Sequence, residues 1–150
     1  MTELKQKLYD HCREYLRRNI ETLEQAITDA QESSQNETKS SAGDKYETGR
    51  AMAQQEIDRN KQQLAEALKQ KNQLERINPQ TKTAIISDGS LIITDSGGFY
   101  VSISAGQVNI DDKIFFLISP ASPIAQRFKG LKANDSLQFN GKTYVIKTVS

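Results

Sequence analysis

The chain has 150 residues, a formal net charge of +1, 26% charged residues, 36% hydrophobic residues and no Trp. So small an apolar share excludes one large globular core and suits elongated helices joined to a small packed domain. Near-neutral charge gives no overall field toward nucleic acid or membrane, and no apolar run reaches the ~20 residues that span a bilayer.

The opening MTELKQKLYDHC is charged and amphipathic and lacks the apolar core of a signal peptide. Cys12 stands alone, which excludes an internal disulfide and fits a reducing cytosol. A soluble, cytoplasmic, monomeric protein with no membrane partner is expected.

Leu4, Leu8, His11 and Tyr15 recur at helical spacing, and Leu16, Ile20, Leu23, Ile27 and Ala30 continue the stripe. A second stripe runs through Tyr46, Ala53, Ile57, Leu64, Leu68 and Leu74. Each helix has one apolar stripe on a polar surface, so neither persists alone in water. Folding back as an antiparallel coiled-coil hairpin lets each cover the other. The intervening ESSQNETKSSAG reads as a loop by composition, which puts residues 33–47 at the hairpin tip.

The pattern changes at Ile77-Asn78-Pro79-Gln80, because a residue before Pro is biased out of the α region. We divide the chain there, into a helical hairpin over 1–77 and a second domain over 78–150. In the second domain TKTAIIS, SLIITDSG, FYVSIS and IFFLIS read as strands, with Asp-Gly and Gly-Gly as turns. SPIAQRFKGL reads as a short helix, with Ser122 as N-cap, Pro123 at the first position and Gly130 at the end. SLQFNGKTYVIKTV closes the chain as a hairpin turning on Asn140-Gly141. The expected class is α+β: the helical hairpin, then a small antiparallel β domain with one short helix.

Candidate chemistry is sparse. His11 is the one His, so His11 and Cys12 have no partners for a metal site, and Ser119, Ser122 and Ser136 have no second His as base. SDGSL and DSGG lack the strand–glycine–helix context and the Lys of a phosphate loop. Self-contained enzymatic activity and a cofactor of its own are therefore not expected.

Asp44 and Glu47, three apart where the second helix restarts, allow two readings. Asp at N-cap with Glu at the third position forms a capping box. At the end of a long hairpin, the same carboxylates can reach into a partner's cleft and complete a Mg²⁺ site with water and phosphate oxygens. Arg50 can pair with either acid on the helix surface or touch phosphate.

Two segments together resemble a known family. SPASPIAQRFKGLKAND (Ser119 to Asp135) followed by FNGKTYVIKTV is similar to the C-terminal end of Gre-type transcript-cleavage factors. Gly43-Asp44-x-x-Glu47, opening the second helix, resembles that family's acidic tip motif, so the likeness covers nearly the whole chain. It implies a coiled-coil hairpin followed by an FKBP-like domain. It also implies binding to bacterial RNA polymerase through the C-terminal domain, with Ser122, Pro123, Ile124 and Arg50 as partner-binding residues. The hairpin would enter the polymerase's secondary channel. There Asp44 and Glu47 would help hold a shared catalytic Mg²⁺ while the polymerase cleaves the 3′ end of backtracked RNA. Nascent RNA and DNA would be met only through the polymerase. The sequence departs from the pattern at Thr48-Gly49-Arg50, where a base replaces an acid, and in the inserted SSQNETKSS. Those departures imply weaker cation retention and keep two alternatives open: a non-cleaving polymerase regulator, or a general helical-hairpin interaction module.

Overall fold

A computed structural model describes the backbone of residues 2–38 and 43–150 and, within these, the side chains outside 34–48. Two long helices come first, α1 (Thr2–Thr38) and α2 (Gly43–Glu75). Strands β1 (Leu91–Thr94), β2 (Gly97–Val101), β3 (Gly106–Ile110) and β4 (Lys113–Ile118) follow, then α3 (Pro123–Phe128), β5 (Ser136–Phe139) and β6 (Lys142–Val149). The class is α+β. No helix among the described residues is long and apolar enough to cross a membrane.

The chain gathers into two compact units. One holds Leu16–Lys71, built from segments of α1 and α2. In it Leu16, Leu23 and Ala30 are buried at seven-residue intervals on α1, and Ala53, Ile57, Asn60 and Ala67 are buried on α2. Such 3-, 4- and 7-residue spacing places each set on one face of its helix. Two details differ from the sequence reading: Leu68 is exposed, and Ala67 and Asn60 take the seam instead. The helices also reach further into the polar stretch than its composition predicts. Glu32 to Thr38 are helical and α2 resumes at Gly43, because this run holds neither Pro nor Gly to stop α1.

The other unit holds Met1–Tyr15 and Asn72–Ser150. Here the start of α1 lies beside the end of α2, since Tyr9 Oη donates to the Leu74 carbonyl at 3.2 Å, the contact of an antiparallel pair. Tyr15, read as part of the apolar stripe, is exposed; Lys5, Leu8 and Cys12 form the buried face instead. α2 ends at Glu75, ahead of Pro79, as the Asn-Pro step requires.

The six-stranded sheet runs β3-β4-β2-β1-β6-β5. All neighbours are antiparallel except β2 and β4. A parallel pair cannot be joined by a tight turn, and the excursion through β3 supplies the crossover. Strand alternation sends Ile92, Phe99, Val101, Leu137 and Ile146 to one face, where Phe128 of α3 and Ile86 complete the core. The Phe99 ring lies 5.3 Å from that of Phe116 and 5.0 Å from that of Phe128, within the range of favourable aromatic pairs. Gly98 is required where the sheet's other face meets Phe115: an added Cβ would stand 2.4 Å from that ring's Cδ1.

Two strand readings are corrected. TKTAIIS forms no strand. It makes one bridge, Ile85 to Lys132, and anchors through the buried side chain of Ile86, so β-propensity went unmatched by a neighbour along its length. Gly106–Ile110 is a strand that the sequence reading passed over. It pairs with β4 across Asp111-Asp112, both at positive φ (53° and 63°), the signature of a type I′ hairpin turn. Between β1 and β2 the turn falls on Asp95-Ser96 rather than on Gly97-Gly98.

Candidate functional site

Asp44 and Glu47 have helical backbone in the first turns of α2, which begins at Gly43; their side chains lie outside the described residues. Both the capping-box reading and the metal-directed reading concern those side chains. Arg50, one turn further on, is exposed. Among the described residues no group of three or more His, Cys, Asp or Glu is placed to hold a metal ion.

The C-terminal candidates are set by α3. Ser122 is its N-cap with extended backbone (φ −67°, ψ 150°). Its Oγ accepts from the Ala125 N–H at 3.3 Å and donates to the Ser119 carbonyl at 2.8 Å, so the hydroxyl serves the helix entry in both directions. Pro123 at the first helical position has no N–H to leave unsatisfied and remains exposed. Ile124 packs against the aromatic core. The three residues read together from the sequence thus divide: Ser122 and Ile124 face inward, and Pro123 faces solvent.

Sequence reasoning missed a buried polar seam between the start of α1 and the sheet. Lys5, Leu8 and Cys12, at spacings of three and four, are at most 1% exposed. Lys5 Nζ donates to the Thr81 carbonyl at 2.6 Å, and Cys12 Sγ lies 3.4 Å from Ser102 Oγ just past β2. Tyr100, two residues before Ser102 and therefore on the same sheet face, is fully buried, and its hydroxyl has no hydrogen-bond partner among the described residues. Burial drives its ionisation far above the usual phenol range, with neighbouring Cys12 and Tyr9 adding to the effect. Burial also lifts the Cys12 thiol to about 11, against a smaller opposing effect of the Ser102 hydrogen bond, so Cys12 is protonated and unreactive at neutral pH. Desolvation lowers Lys5 from its ordinary value. The one available sequence signal was Lys5 itself, a lysine in step with Leu8 and Cys12.

No protein-family model matches the chain, and no curated protein matches it.

Proposed function

We propose that this chain is a Gre-like factor. It binds bacterial RNA polymerase, places the junction of α1 and α2 in the secondary channel and stimulates cleavage of backtracked RNA. The carrying observation is the acid pair Asp44 and Glu47 opening α2 at the junction of two long helices. The order of elements supports it: a long helical pair, then a mostly antiparallel sheet whose short helix is entered through Ser122-Pro123 and whose last hairpin turns on Asn140-Gly141. On this reading the second domain is FKBP-like and anchors on the polymerase through the Pro123 corner. Two carboxylates plus water and phosphate oxygens suit Mg²⁺, whose role is to activate water and offset charge on the phosphoryl group. The chain itself supplies positioning, and the polymerase supplies the catalysis.

The test adds the protein to a stalled, backtracked elongation complex with Mg²⁺. Faster cleavage, lost in the Asp44→Ala/Glu47→Ala double variant, is expected. Unchanged cleavage in either comparison removes the catalytic reading, and failure to co-purify with core polymerase removes the polymerase reading altogether.

Arg50 favours a second reading, a channel-binding regulator that does not cleave. An exposed guanidinium one turn beyond Glu47 opposes retention of a cation there. Arg50→Glu distinguishes the two. It lowers the Mg²⁺ concentration needed for cleavage if the tip holds metal, and changes nothing if it does not.

A further inference from the structure

We infer that the polar seam between the first turns of α1 and the sheet is a joint, able to open while the sheet stays folded. The two faces of the sheet differ in the polar groups they enclose. One is closed by interlocked side chains, with the rings of Phe116, Phe128 and Tyr144 gathered around Phe99, so it separates only by exposing apolar surface. The other face also buries apolar side chains, Leu91, Phe115 and Leu117 beside Tyr100, but it meets α1 in addition through polar groups that water would serve at least as well. The Tyr100 hydroxyl is fully buried with no partner among the described residues, and such a group forfeits its hydrogen bonds to water only while the seam is closed. Lys5 is enclosed with a backbone carbonyl as acceptor, and no carboxylate among the described residues pairs with it. An ammonium carries three donors, and opening returns all of them to solvent. The thiol–hydroxyl contact of Cys12 and Ser102 is a weak tie by chemistry. Costs confined to one interface lower the free energy of opening there and leave the rest of the unit untouched.

The lone cysteine makes this measurable in the full chain. Cys12 is fully buried, so a thiol reagent reaches it only through opening. With an aromatic disulfide reagent in excess under native conditions, Cys12 reacts at least about tenfold faster than global unfolding allows, with a shallow urea dependence. In amide hydrogen exchange, Ile92, Phe99 and Ile146 meanwhile keep the protection of the whole fold. Tyr100→Phe, which deletes the partnerless hydroxyl and keeps the ring, slows Cys12 labelling by about tenfold. Labelling that follows global unfolding at every urea concentration overturns the joint. So does a Tyr100→Phe variant labelled as fast as the parent or faster, since the hydroxyl would then have been serving the closed state.

Discussion

Lys5 Nζ donates to the Thr81 carbonyl at 2.6 Å from a side chain that is 1% exposed. A lysine stem is four methylenes long, so much of what is buried at this position is apolar and the amine is the costly end. Lys5→Met keeps the stem and drops the amine, though it leaves Thr81 without that donor. The variant is expected within about 1 kcal/mol of the parent, whereas Lys5→Ala loses about 2 kcal/mol or more through the vacated volume. Urea unfolding of the two variants separates packing from charge.

Alkaline pH acts on the same region through three groups. Above its ordinary value of 9.0 the unfolded Cys12 thiol ionises, while the folded one keeps its proton to about 11. The native state then binds more protons, so stability present below pH 9 falls as pH rises through that window, by about 2–3 kcal/mol in all. Tyr100 acts with the same sign. Lys5, lowered on folding, acts oppositely: stability rises as pH climbs from its depressed value toward 10.5. Cys12→Ser removes the thiol's share, so its urea midpoint falls less than the parent's, or rises more, between about pH 8 and about pH 10.

Gly98→Ala tests the close approach of the strands to Phe115. A Cβ standing 2.4 Å from the ring forces Phe115 off its position, and overpacking of this kind costs about 1–3 kcal/mol. Phe115→Leu in the same chain relieves the clash. The double variant is therefore expected to lose less than the sum of the single losses in thermal unfolding.

Ser122→Ala removes both hydrogen bonds of the α3 cap and costs about 1 kcal/mol, while Ser122→Asp retains an acceptor for the Ala125 N–H and costs less. If polymerase capture falls only in proportion to the lost stability, Ser122 serves the fold. A fall at unchanged stability makes it a contact residue. Pro123→Ala, at an exposed position, reports on contact alone.

Features governed by a few neighbouring residues were legible in the sequence. Asn140-Gly141 turns with φ of 51° and 78°, as its type I′ signature requires. The Ser122-Pro123 entry and the stop of α2 before Pro79 are likewise local steric and hydrogen-bond matters. The acid pair Asp44 and Glu47 is read from spacing alone, and its side chains lie outside the described residues.

The face of each element was decided by what packed against it. At the start of α1, Leu4, Leu8, His11, Tyr15 and Lys5, Leu8, Cys12 are both helical stripes. Contact with Thr81 and Ser102, distant in sequence, selected the second. TKTAIIS had the composition of a strand but no partner along its length, and Gly106–Ile110 became one because β4 lay beside it. The sequence by itself therefore determined two long helices, a capped short helix and the Asn140-Gly141 turn. Tertiary structure alone decided the register of α1 on the sheet and the burial of Lys5 and Tyr100. Periodicity constrains which residues share a face, and the free energy of burial depends on the surface that face meets.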